Sequence, residues 1–286
     1  MNAENTPAPR LEVRGLSHAY ALKTVLDAVD LTLEAGRVLA LVGPSGCGKT
    51  TLLHLCAGLL TRQSGTLANG FRRPAVMFQQ PRLLPWKTTR DNIAIGLKAA
   101  GLPRGERLAR ADAIGQAVGL DALALGQFPH ALSGGMQSRA ALARALVLAP
   151  DLLLMDEPFA ALDIGLKGQL HRLLLEHQAE RGLAVLMITH DLMEAVRLAD
   201  TVLVMAAEPG RIVHRFTLPT PARRRDDAAV YRTTAELLQV PAVRASFGLE
   251  AAPAGISDGS APPLHLAALA ADDPRPAPPR KKGSSC

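Results

Sequence analysis

Three short runs in this sequence combine residue types at spacings that suit phosphate chemistry. Gly43-Pro44-Ser45-Gly46-Cys47-Gly48-Lys49-Thr50 has the Gly-x4-Gly-Lys-Thr form of a phosphate-binding loop. Its glycines permit backbone angles and a closeness of approach that a side chain would block, so successive N–H groups can point at phosphate oxygens. On this reading Lys49 bridges the β- and γ-phosphates, the Thr50 hydroxyl ligates Mg²⁺, and Thr51 adds a donor at the start of the following helix. Further along, the apolar run Leu152-Leu153-Leu154-Met155 ends on Asp156 and Glu157. Asp156 is placed to face the Mg²⁺ shell. Glu157 is placed to polarise an attacking water, because phosphoryl transfer depends on positioning and a proton acceptor more than on covalent catalysis. Between these runs lies Leu132-Ser133-Gly134-Gly135-Met136, a small-residue turn whose N–H groups can close over a triphosphate held by a second copy of the chain. A phosphate-binding loop alone specifies nucleotide binding; the three runs in this order describe a site shared by two copies of one surface.

The elements that must hold these residues are legible around them. Val38-Leu39-Ala40-Leu41-Val42 reads as a buried parallel strand that ends at Gly43, and residues 51–60 read as the helix that the loop starts. Leu152–Met155 and Ala184–Ile188 read as two more apolar strands, with a helical segment over residues 167–178 between them, so the chain returns to a parallel sheet. Residues 11–14 and 25–33 show the alternation of half-buried strands, separated by the polar stretch Ser17-His18-Ala19-Tyr20. Helical periodicity runs from about Thr88 to Leu148, as an insertion. Final strands are expected at residues 202–205 and 211–213, around the turn Glu208-Pro209-Gly210, and one helix near residues 228–238. The expected fold is α/β: a phosphate-loop NTPase core with a mainly parallel, RecA-like sheet, an N-terminal antiparallel β subdomain, and a helical subdomain over about 88–148 that carries Ser133. The boundaries are a flexible N-terminus over 1–8, a nucleotide-binding domain over 9–220, a C-terminal extension over 221–250 and a disordered tail over 251–286. Seven of the last 36 residues are proline, mixed with Ala, Gly and Ser.

Composition excludes several function classes. With 286 residues and 48% hydrophobic content the chain can bury a sizeable core. Its net charge of +6 is spread over short basic runs such as Arg72-Arg73 and Arg223-Arg224-Arg225, a solvated surface more than a nucleic-acid footprint. Cys47, Cys56 and Cys286 have no CxxC spacing, so neither a disulfide framework nor a zinc site is expected. Cys47 itself, inside the phosphate loop beside Lys49, is expected to be a reactive thiol. The eight histidines form no ligand-like cluster, since His171 and His177 would not share a helix face. No apolar run approaches the roughly 20 residues that a membrane-spanning helix needs, and the N-terminus lacks a basic-then-apolar signal pattern.

Taken together, these runs resemble the nucleotide-binding subunits of ATP-binding cassette (ABC) transporters over about residues 9–220. The resemblance extends to Tyr20, which matches the aromatic that stacks on adenine, and to Gln79 in Met77-Phe78-Gln79-Gln80, which matches the glutamine that senses Mg²⁺ and the attacking water. Ser133, Gly134 and Gly135 match the signature turn that binds the γ-phosphate across a dimer. Asp163 in Ala161-Leu162-Asp163 matches the loop linking the two sites, and His190 in Thr189-His190-Asp191 matches the switch histidine. On residue type alone Tyr20 could also be an ordinary strand-edge aromatic. Met136, Ser138 and Ala160 depart from the usual residues at their places. Arg82-Leu83-Leu84-Pro85-Trp86 and Glu208-Pro209-Gly210-Arg211-Ile212 resemble the branch of nitrate, sulfonate and taurine importers. The resemblance implies ATP and Mg²⁺ as cofactors, a head-to-tail dimer, transmembrane permease subunits as partners and an extracytoplasmic solute-binding protein acting indirectly. It also implies a peripheral position on the cytoplasmic face of the cell membrane, with no nucleic acid as partner. Leu83–Trp86 is then either a groove for a permease helix or a satisfied hydrophobic loop. Two rivals have weaker support. The segment from Thr50 to Ser133 leaves no room for the long coiled coils of chromosome-maintenance ATPases, and Glu157 with His190 argues against an ATP sensor without turnover.

Overall fold

The structure, a computed structural model, describes residues 8–249; the tail expected from 251 onward and nearly all of the expected N-terminal stretch lie outside them. In chain order the first elements are β1 (Arg10–Tyr20), β2 (Lys23–Glu34), β3 (Val38–Val42), α1 (Lys49–Cys56), β4 (Thr66–Asn69) and β5 (Pro74–Met77). A helical region follows, with α2 (Thr89–Ile93), α3 (Ile95–Ala99), α4 (Arg104–Ala117), α5 (Ala122–Gly126) and α6 (Gly134–Leu146). The chain then returns through β6 (Leu152–Asp156), α7 (Ile164–Arg181), β7 (Ala184–Thr189), α8 (Leu192–Leu198), β8 (Thr201–Ala206) and β9 (Arg211–Thr217), and closes with α9 (Asp227–Gln239) and α10 (Pro241–Ser246).

Six strands form one sheet in the order β5-β6-β7-β3-β8-β9, parallel throughout except for the antiparallel β8–β9 pair. Every residue of β3, β6 and β7 is buried, which is why these strands read as unbroken apolar runs: both faces of the sheet are covered. Parallel register brings their carboxyl ends to one edge, with Val42 opposite Thr189 and Asp156 opposite Ile188. β3 lies inside the sheet between β7 and β8, so the chain crosses over on both sides of it and leaves a crevice at the carboxyl ends.

β2, β1 and β4 make a separate antiparallel sheet in that order. Ser17–Tyr20, expected to separate two strands, is instead the continuation of β1. Gly15, at φ 54°, interrupts the pleat with a register shift between Val13 and Leu16, after which Leu16 and His18 return to the buried face. β4 and β5 did not stand out in the sequence. Both are four residues long, and β5 is an edge strand that starts on Pro74, where a missing N–H costs no ladder bond.

In the helical region, Ile93, Ala111, Leu125 and the Ala140–Leu146 face of α6 pack into the same core as β6 and β7. The pattern beyond Pro219, weak as sequence, yields two helices that join this core through Val230, Leu237 and Val243, each no more than 1% exposed. Arg225 anchors them by donating to the carbonyls of Val196 and Ala199, at 2.6 and 2.7 Å, near the end of α8.

Candidate active site

The loop after β3 can take its shape only with glycine at particular positions. A Cβ at Gly43 would lie 2.5 Å from the Met205 carbonyl oxygen, and one at Gly48, where φ is 92°, would lie 2.7 Å from Leu26 Cδ2. Gly48 is also the N-cap of α1 and supplies no side-chain cap, so the first N–H groups of this helix face outward as an anion site. Ser45, Gly46 and Thr50 are exposed, whereas Pro44 and Thr51 are half-buried. The Lys49 ammonium, 7% exposed, donates to the carbonyls of Gly43 and Pro44 at 2.8 Å each and so lies across the mouth of the loop. Cys47 differs from expectation: it is 1% exposed, packed inward beneath Lys49 with Sγ 3.7 Å from Nζ, and offers its backbone and not a reachable thiol.

A brace behind this loop was not read from the sequence as part of the site. Gly210 donates to the Val25 carbonyl at 2.9 Å and accepts from the Asp27 N–H at 3.0 Å, and a Cβ on it would stand 2.1 Å from the Cys47 carbonyl oxygen. The turn Glu208-Pro209-Gly210, read only as a marker of a branch, is thus pressed against the phosphate loop. The available signal was a glycine after proline between two strands.

The ends of β5, β6 and β7 bring a second group together. The Thr50 hydroxyl donates to Asp156 Oδ2 at 2.8 Å. Asp156 is 4% exposed, and its carboxyl is pushed above its ordinary value, chiefly by burial; the bond from Thr50 opposes this and the charge on Glu157 adds to it. Glu157 adopts a left-handed backbone, φ 47°, fixed by its N–H donating to the Ile188 carbonyl at 2.9 Å. Its carboxylate sits between two neighbours: Gln79 Nε2 donates to Oε2 at 3.2 Å, and His190 Nδ1 lies 3.2 Å from Oε1. The oxygen donors of Thr50 and Asp156 suit Mg²⁺. Among the described residues no cluster of three or more His, Cys, Asp or Glu could hold a metal ion unaided, so the fit is to an ion that completes its shell with phosphate oxygens and water.

The remaining expected residues lie apart. Tyr20 stands 49% exposed at the end of β1, its ring edge-on to buried His18 at 4.9 Å. Ser133 caps α6, its Oγ accepting from the Met136 N–H at 3.3 Å, and Asp163 caps α7, accepting from the Leu166 N–H at 2.9 Å. These two turns are neighbours, because a Cβ on Gly135 would lie 3.4 Å from both the Ala161 carbonyl oxygen and Leu162 Cδ2. Among the described residues, the hydrogen bonds that join Thr50, Asp156, Glu157 and Gln79 do not reach Ser133, Gly134 or Gly135. The departures near this turn have local accommodations: Ser138 is buried and donates back to the Gly134 carbonyl at 3.1 Å, and Met136 packs on the core.

Comparison with known proteins shows the family. The ABC transporter family pattern matches residues 26–160. Over 240 residues the chain is 44% identical to the aliphatic sulfonates import ATP-binding protein SsuB of Corynebacterium glutamicum, covering 84% of this chain and 97% of the relative. Over 215 residues it is 42% identical to the taurine import ATP-binding protein TauB of Escherichia coli K12, covering 73% and 84%. A solved ATP-binding cassette in a dimeric post-hydrolysis state bound to ADP and Pi superposes with a TM-score of 0.68 at 25% identity, covering 73% of this chain and 99% of that one. The chain belongs to the ABC transporter family. Within it, it is an ATP-binding subunit, and it is an ATPase.

Proposed function

We propose that the chain hydrolyses MgATP at a site completed by a second copy of itself, and so drives import of a small solute through a separate membrane permease. The observation that carries the chemistry is the position of Glu157, held by a strained backbone between Gln79 and His190 and one residue from the Asp156–Thr50 pair. ATP phosphates are bound by the N–H groups of residues 45–51 and by Lys49, and adenine stacks on Tyr20. Thr50, Asp156 and Gln79 would hold Mg²⁺, which would supply positive charge to the phosphates. Glu157 accepts the proton of the attacking water, His190 orients that carboxylate and the γ-phosphate, and Gln79 reports the occupancy of the site.

A lone chain leaves the γ-phosphate open on one side. The turns at Ser133–Gly135 and Asp163, with Ser133, Gly134 and Asp163 exposed, lie side by side, and a head-to-tail partner supplies their equivalents across the nucleotide. The sulfonate and taurine relatives favour a solute with a small anionic group, delivered by an extracytoplasmic binding protein. Among the described residues no helix is long and apolar enough to cross a membrane, and the subunit works peripherally, on the cytoplasmic face, bound to its permease.

Glu157→Gln tests the central assignment. The variant should bind ATP, lose about 100-fold or more of its steady-state turnover, and accumulate as an ATP-bound dimer on size-exclusion chromatography. Near-wild-type phosphate release would refute the role of Glu157.

A further inference from the structure

Arg144 is a half-buried cation that the reaction described above does not use. It lies in the last turn of α6, and burial pulls its guanidinium below the usual arginine range, with no carboxylate among the described residues raising it back. Its two terminal nitrogens instead donate to consecutive carbonyls of the chain after Gln79: Nη2 to Pro81 at 2.7 Å and Nη1 to Arg82 at 2.8 Å. Two charge-assisted bonds from one planar fork fix direction as well as distance, which a single ammonium would not do.

The loop they hold is tightly folded. Arg82 has a left-handed backbone, φ 45°, and its own guanidinium lies over the Phe78 ring, 4.3 Å from the centroid. Gln79 therefore has β5 on one side and, two residues after it, a clamp on the other. The helix that supplies the clamp begins at the Ser133 cap, about 16 Å away at the rise of an α-helix. A half-buried charge spent on two loop carbonyls, with no acidic partner among the described residues, is costly as a packing device; it is explained if the placement of the loop matters.

We propose that Arg144 is a positioning residue for Gln79, making α6 a rigid link between the Ser133 turn and the loop that sets the Gln79 amide against Glu157. The proposal rests on the reading of Gln79 given above. A displacement of either end of α6 then reaches the other without passing through the nucleotide.

The test uses the full chain with Arg144→Lys, Gln79→Ala and the double variant. Arg144→Lys keeps the charge but not the fork. It should lower kcat by roughly tenfold to 100-fold, as small misplacements do, with the KM for MgATP held within about twofold because the phosphate loop is untouched. In the Gln79→Ala background the same change should cost nothing further. Full additivity of the two kcat losses, or wild-type kcat in a folded Arg144→Lys, would overturn the proposal while leaving Gln79 in place. Wild-type turnover in Gln79→Ala would instead remove the reading beneath it, and the proposal with it. Should Arg144→Lys be recovered unfolded, Arg144→Gln carries the same readouts and the same overturning results.

Discussion

Asp156 and Glu157 are adjacent carboxylates with different environments. Asp156 is enclosed at the end of β6 with one hydroxyl donor, whereas Glu157 is half-buried and faces Gln79 and His190. Burial raises the Asp156 pKa, so its ionised form costs stability. The cost is present at pH values above the folded pKa and vanishes as pH falls below the ordinary carboxylate value, where the group is protonated both folded and unfolded. Asn at this position can still accept the Thr50 bond. Nucleotide-free Asp156→Asn is therefore expected to melt at or above the wild-type temperature at pH 7, with the difference shrinking toward acid pH, while Mg²⁺-dependent ATPase activity is lost. A lower melting temperature at pH 7 in a calorimetric scan would show that the carboxylate contributes to the apo fold and does not strain it. Cys47 teaches the converse lesson about single residues: its neighbours in sequence suggested an activated thiol, but the loop turns that side chain inward, and only the three-dimensional path of the backbone decides this.

At the level of elements, the site is a set of strand ends with short loops attached. Gly210 shows how far the supports extend beyond the motifs. Gly210→Ala would place a methyl group 2.1 Å from the Cys47 carbonyl oxygen and 2.7 Å from that of Val25, two backbone atoms that cannot rotate away. The phosphate loop or the turn must shift, at about 1–3 kcal/mol as in other overpacked sites. The variant should show a weakened ATP affinity by titration together with a lower melting temperature; unchanged affinity would mean that the turn yields and the loop does not. Those elements buried on both faces were legible from sequence: β3, β6 and β7 are unbroken apolar runs, and residues at and after their ends are among those the candidate site brings together. What escaped was decided by packing. β4 and β5 are too short to alternate visibly, β1 hides its continuity behind the register shift at Gly15, and the turn at Gly210 touches residues far away in sequence. The proximity of Gly135 to Ala161 likewise depends on how α6 and the loop before α7 meet, which no local pattern encodes.

At the scale of the whole molecule, two surface regions adjoin elements that carry candidate site residues. The first is the C-terminal extension. Arg225 ties it to the end of α8, the helix that follows His190, and Arg197 donates to Asp227 at 2.7 Å across the same junction. Ending the chain after Glu250 should leave the melting temperature and ATPase rate unchanged, since a Pro-rich composition is a poor source of core packing, whereas ending it after Thr220 strips Val230, Leu237 and Val243 from the core and should lower the melting temperature by several degrees. Equal stability of the two truncations would contradict the packing. The second surface is the loop after Gln79. Asn92, fully buried, fixes it by accepting from the Leu84 N–H at 2.7 Å and donating to the carbonyls of Leu84, Lys87 and Thr88 at 3.1 Å each. Held this way, Trp86 projects 71% exposed, while Leu83 is partly buried against the core. A large aromatic on a rigid loop loses little entropy when covered, and truncating such an anchor typically costs about 2 kcal/mol or more at an interface. Trp86→Ala should therefore keep the wild-type melting temperature in the isolated subunit and lose permease on co-purification of the assembled complex. Normal assembly and transport by a folded Trp86→Ala subunit would remove Trp86 from the interface, and a melting temperature several degrees below wild type would mean that the ring packs within the fold after all.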